Sequence, residues 1–117
     1  MQVRSYLFAA LASVTPVLAA AQDACPGQTS YDLTLCAHEK WETADIELNR
    51  LWRVVKPMAD ARGTGATLLA EQRLWLKQRD AECEQELGHG GSLDNAIYAN
   101  CMEAWTLRRN AELRAMQ

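Results

Sequence analysis

The stretch Gln72-Arg73-Leu74-Trp75-Leu76-Lys77-Gln78-Arg79-Asp80-Ala81-Glu82-Cys83 decides the fold. On a 3.6-residue period Gln72, Trp75, Leu76, Arg79 and Cys83 fall on one side, so an amide, an indole, an aliphatic chain, a guanidinium and a thiol face the same neighbours. That pattern marks a central helix. A guanidinium or amide beside Trp75 and Leu76 needs partners, because leaving one buried and unpaired costs about 1–3 kcal/mol, and more for the charge. Asp45 and Asn49 of the preceding segment are the expected partners, with Asp80 beside them.

Upstream, Leu33, Ala37, Trp41, Ala44, Leu48, Leu51, Val55 and Met58 recur every three or four residues, which predicts an amphipathic helix with Ser30 as its N-cap and Asp32 in its first turn. Pro57 lacks an N–H and is expected to kink or end this helix, with Gly63-Thr64-Gly65 completing the turn. The second helix is predicted over residues 66–87, carrying Leu68, Leu69, Trp75, Leu76 and Cys83 inward, and Gly88-His89-Gly90-Gly91 stops it. Ser92 then caps a third helix with Asp94 in its first turn and Leu93, Ile97, Cys101, Ala104, Trp105 and Leu107 as its apolar share. Strand-like alternation and internal repeats are absent. Short connections make the expected fold all-α, an antiparallel three-helix arrangement.

The N-terminus reads as a signal peptide over residues 1–21: Arg4 supplies the positive end, an apolar stretch follows to Leu18, and Ala19-Ala20-Ala21 is a small-residue cleavage site. This stretch is too short for an ordinary spanning helix, and no later segment is apolar enough to cross a membrane. A lipid anchor on Cys25 is not expected, because Gln22-Asp23-Ala24 stands where such a signal wants an aliphatic residue followed by small ones. The expected address is periplasmic or secreted. Removing residues 1–21 from the 117 leaves one domain of 96, residues 22–117, and takes the net charge from −3 to −4 because Arg4 departs. A weakly acidic chain without a basic cluster is a poor nucleic-acid binder.

A domain this small buries a thin core and needs reinforcement. The four cysteines, Cys25, Cys36, Cys83 and Cys101, all follow the signal, and an even number in an exported domain reads as two disulfides. No pair has the close spacing of a structural zinc site, and no cofactor is called for. Cys83 and Cys101 lie nine residues either side of Ser92, so a hairpin folded at the glycines brings them level. The expected bridges are therefore Cys83–Cys101 and Cys25–Cys36, with Cys36–Cys83 as the alternative, since helix one begins where helix two ends.

The order Cys36, Asp45-x-x-Leu48-Asn49, Gln72-x-x-Trp75-Leu76-x-x-Arg79-Asp80-x-x-Cys83, Gly90-Gly91-Ser92, Cys101 and Thr106-x-x-Arg109-x-x-x-Leu113 resembles the LprI-type lysozyme-inhibitor N-terminal domain family. It covers nearly the whole chain after the signal. The resemblance implies a small exported helical domain of the bacterial envelope, with a lysozyme as one partner such domains bind. Trp52 departs from the pattern, standing where the family usually has a tyrosine after the Leu-Asn pair.

Enzyme chemistry finds little purchase. His38-Glu39-Lys40-Trp41-Glu42 begins like a zinc-protease helix, but Glu42 stands where the second histidine is required. No Gly-x-Ser-x-Gly elbow is present, and the thiols are all assigned to bridges. Asp45, Asn49, Gln72, Trp75, Arg79 and Asp80 read as an interhelical network that fixes register. Trp41 and Trp75 read as core. The acids Asp80, Glu82, Glu84 and Glu86 crowd the C-terminal turns of helix two, where the helix dipole disfavours them, so either neighbouring helix N-termini offset them or they form a patch for a cationic partner. Two functions follow. One is inhibition of a cationic cell-wall hydrolase through Glu84, Glu86, His89, Gly90, Gly91 and Ser92; the other is an interaction or stress-related module binding a different envelope protein.

Overall fold

The computed structural model describes residues 25–117, so the signal peptide expected over 1–21 lies outside the described residues. Three helices make up the described chain: α1 (Ser30–Ala61), α2 (Gly65–Glu84) and α3 (Asp94–Ala115). α3 packs along α1, and α2 leans on both. As α3 advances, Glu103 pairs with Lys40, Asn110 reaches the Ala44 carbonyl and Arg114 reaches Glu47, so α1 and α3 run in the same direction. α2 runs against them: Leu68 lies near Val55 and Ala59, and Arg79 reaches back to Asp45. This is the all-α, antiparallel three-helix arrangement, bridged by Cys25–Cys36 and Cys83–Cys101.

The core is one main cluster and one small one. Leu48, Leu51, Val55, Ala59, Leu68, Trp75 and Leu113 form the first, with Trp52, Leu76, Trp105 and Met116 packed against it. Ala37, Ala96 and Ala99 form the second, flanked by Leu33 and Trp41. The alanines let α1 and α3 approach closely at the end where Cys25–Cys36 ties down the lead-in. Trp41 is only half-buried there, edge-on to Tyr98 with ring centroids 5.8 Å apart, and its Nε1 is buried with no hydrogen-bond partner among the described residues.

Several local expectations are corrected. The N-cap of α1 is Thr29, not Ser30: its hydroxyl accepts from the Asp32 N–H, and Asp32 accepts in return from the Thr29 N–H, which is a capping box. Pro57 does not end α1, which runs on to Ala61. Pro57 is exposed, so the Arg53 carbonyl it deprives of an N–H faces water, while Val55 and Ala59 hold the helix in the core. α2 stops at Glu84 rather than at residue 87, directly after its disulfide. Ser92 does not cap α3; Leu93 occupies that position and no side chain caps it.

The largest correction concerns α3. Its buried positions are Ala96, Ala99, Met102, Thr106, Arg109, Asn110 and Leu113, whereas Leu93, Ile97, Ala104 and Leu107 face outward and Trp105 is half-buried. Small and polar residues fill this interface because close approach to α1 leaves little room and because Thr106, Arg109 and Asn110 each find a hydrogen-bond partner there, although Arg109 Nη2 and Asn110 Oδ1 are buried without one among the described residues.

Candidate partner-binding site

The bundle holds a polar seam that sets the positions of its ends. Arg79, 7% exposed, donates from Nη1 to Asp45 Oδ1 on α1 at 3.2 Å and to Thr106 Oγ1 on α3 at 3.2 Å. Its Nε donates to Asp80 Oδ1 at 3.0 Å, and its guanidinium lies 5.1 Å from the Trp75 ring centroid, a cation–π contact. Thr106 Oγ1 in turn donates to the Met102 carbonyl at 2.7 Å. Gln72 turns to α3, where its Oε1 accepts from Arg109 Nε at 2.7 Å, and Arg109 Nη1 donates to Glu112 at 2.6 Å. Asn110 is fully buried and donates from Nδ2 to the Ala44 carbonyl at 3.0 Å.

The structure thus brings Asp45, Gln72, Trp75, Arg79 and Asp80 into this network; Asn49 borders Asp45 and Gln72 without bonding to either. Asn49 is exposed, its side chain makes no hydrogen bond among the described residues, and the place expected for it beside Gln72 is taken by Arg109. Thr106, Arg109 and Asn110 join the network without having been expected from the apolar pattern of α3. Their spacing was the available signal: 106, 109, 110 and 113 lie on one helical face that ends in Leu113.

At the far end of α2 the chain leaves the helix and forms the connection of residues 85–93. Cys83–Cys101 closes its base. Gly88 and Gly90 adopt positive φ of 83° and 78°, a region that costs side-chain-bearing residues roughly 1–2 kcal/mol. Asp94 organises the interior: its Oδ2 accepts from the His89 N–H at 2.9 Å and from the Gly91 N–H at 3.3 Å. His89 Nε2 lies 2.6 Å from the Gln85 carbonyl, an arrangement that requires the proton on that nitrogen and leaves Nδ1 outward. His89, Gly90, Gly91 and Ser92 are exposed, as is Glu84, while Glu86 is half-buried. The Gly90 N–H and the Ser92 hydroxyl have no partner among the described residues. Among the described residues the acids at this end gain no ion pair from α1 or α3; Asp80 pairs within α2, with Arg79.

Among the described residues no group of three or more His, Cys, Asp or Glu side chains is arranged to hold a metal ion, and no helix is long and apolar enough to cross a membrane. What remains is a small disulfide-bridged helical domain that presents an ordered, exposed loop beside acidic side chains. A family model described as lysozyme inhibitor LprI matches residues 20–113, and the chain belongs to that family. An uncharacterized protein of Rhizobium meliloti (strain 1021) is 33% identical over 99 residues, covering 73% of this chain and 71% of that protein. No solved structure matches.

Proposed function

We propose that this chain is an exported inhibitor of a cationic lysozyme, and that residues 88–92 enter the enzyme's cleft while Glu84 and Glu86 meet its basic rim. Family membership supports the partner class. The loop supports the mode: it is exposed, yet held by Cys83–Cys101 at its base and by Asp94 within, so little ordering entropy is lost on binding. That pre-ordered exposure is the observation that carries the reading. Lysozyme catalysis uses two carboxyl groups in an open cleft. The Gly90 N–H and the Ser92 hydroxyl are donors free to meet carboxylate oxygens, and glycines at 90 and 91 let the backbone come close. The negative flank steers encounter over a distance set by salt, about 8 Å at physiological ionic strength.

The test is a cell-wall lysis assay with purified protein against lysozymes of several types. Inhibition is expected, and replacing Glu84 and Glu86 with Gln should lower the association rate and flatten its salt dependence, leaving the dissociation rate nearly unchanged. If stoichiometric excess at low salt leaves lysis unaltered for every lysozyme type, the domain serves another envelope partner instead.

A further inference from the structure

α3 and the residue before it turn outward a seam that the described chain leaves about half open to water. Leu93, Ile97, Asn100, Ala104, Leu107 and Ala111 alternate at spacings of four and three, and all are exposed. Leu93, Ile97 and Leu107 leave 42%, 45% and 50% of their surface in water. This is the spacing of positions a and d in a coiled coil, and the seam carries no charge along its length. It lies on the side of α3 away from Met102, Thr106 and Arg109, and one edge of it borders α1, where Leu93, Ile97 and Asn100 flank Leu33 and Cys25 and Leu107 flanks Thr43 and Ala44. Asn100, near its centre, makes no hydrogen bond among the described residues. A lone asparagine in such a seam fixes the register of paired helices.

From this seam we infer that a second copy of the chain packs its α3 antiparallel on the first, about a two-fold axis near Asn100. The interface is then self-complementary. Leu93 faces Leu107 of the second copy, Ile97 faces Ala104, and Asn100 faces Asn100. Leucine meets leucine at the ends in either sense, but only the antiparallel one sets the large Ile97 against the small Ala104; a parallel pairing would set Ile97 on Ile97 and Ala104 on Ala104 and force the spacing of the helix axes to vary. Charge supports the same sense. Asp94 and Arg108 border one edge of the seam, and the axis carries each to the other in the second copy. Both have capacity to pair: Arg108 lies 4.8 Å over the Trp105 ring with no carboxylate partner among the described residues, and Asp94 spends only Oδ2 on the loop. The dimer sets the two loops of residues 88–92 at opposite ends, about 30 Å apart at 1.5 Å per residue.

Sedimentation equilibrium of the purified protein with both disulfides intact tests this. A mass twice that of the monomer is expected, falling to the monomer mass on dilution and in Ile97→Glu or Leu107→Glu, whose helical circular dichroism should be unchanged because both side chains are exposed. Arg108→Glu should weaken association, and by less as salt rises. Asn100→Cys should form a covalent dimer under mild oxidation, and Leu93→Cys should not. A monomer at every concentration, a dimer indifferent to Ile97→Glu, or covalent dimers of Leu93→Cys as abundant as those of Asn100→Cys would each overturn the proposal.

Discussion

Arg79 joins all three helices through one side chain, touching Asp45, Asp80, Thr106 and the Trp75 face. Its guanidinium is buried, whereas the Asp45 side chain keeps 35% of its surface in water. The two halves of this pair are therefore unequal. Arg79→Ala should cost about 3 kcal/mol, because it strips partners from buried groups and unpacks Trp75, while Asp45→Ala should cost about 1 kcal/mol, since water replaces much of the carboxylate's role. Urea unfolding of the two single variants and the double checks this, and full additivity would mean that the pair does not interact. Glu47 makes a different kind of contact. Arg50 holds its carboxylate through two hydrogen bonds at 2.7 and 2.8 Å and Arg114 of α3 adds a third at 3.2 Å, which lowers its pKa from 4.5 to about 2. A carboxyl depressed in the folded state contributes stability above its ordinary pKa and loses it as pH falls towards the depressed value. Thermal melts should therefore show wild-type protein losing stability as pH falls from 4.5 towards 2, with a shallower decline in Glu47→Gln.

At the level of elements, α2 was legible in the sequence and α3 was not, and the difference is physical. Trp75, Arg79 and Cys83 combine bulk, charge and a thiol at one helical spacing, so burial of that face was the only economical reading. α3 inverts the rule. Its buried side carries Thr106, Arg109 and Asn110, while its leucines at 93 and 107 and Ile97 face water, so apolar periodicity pointed to the wrong face. Thr106 and Asn110 give no such signal alone, because short uncharged polar residues occur on solvent faces as readily as in satisfied interiors. The candidate loop is legible as glycines between helices, but its organiser is not: Asp94 in a first helical turn suggests only a dipole role, whereas its carboxylate also accepts from two loop amides. Asp94→Ala should therefore weaken lysozyme inhibition while lowering global stability by only about 1 kcal/mol, a typical cost for losing such a local acceptor. Gly90→Ala should act similarly through backbone strain alone, since a β-carbon there meets nothing within 4 Å. Chemical denaturation beside the lysis assay separates the loop effect from unfolding, and a loop variant with full inhibitory strength would remove residues 88–92 from the contact.

Across the whole molecule, stability and presentation of the loop are divided between two disulfides that the fold uses differently. The fully buried large apolar residues are few, chiefly Leu51, Val55 and Leu113, and the end of the bundle near the loop is packed with alanines. Covalent closure therefore carries a large share of the stability there. Sequence separations of 11 and 18 residues predict similar losses on removing either bridge, about 3 kcal/mol from chain entropy. For a domain of this size that corresponds to a fall in Tm of roughly 12–24 °C. The functional consequences should differ. Cys25–Cys36 pins the lead-in to the first turns of α1, whereas Cys83–Cys101 forms the base from which residues 85–93 project. The double replacement Cys25→Ser with Cys36→Ser should lower Tm but inhibit lysozyme at wild-type strength at temperatures well below its transition. Cys83→Ser with Cys101→Ser should lower Tm by a similar amount and lose most inhibition even where circular dichroism reports full helicity, because the loop must then be ordered at the moment of binding. Lysis assays at low temperature, paired with melts of both variants, decide the point. Equal loss of inhibition in the two variants would mean that the contact surface extends to the lead-in, and equal retention would mean that the loop does not need its covalent base.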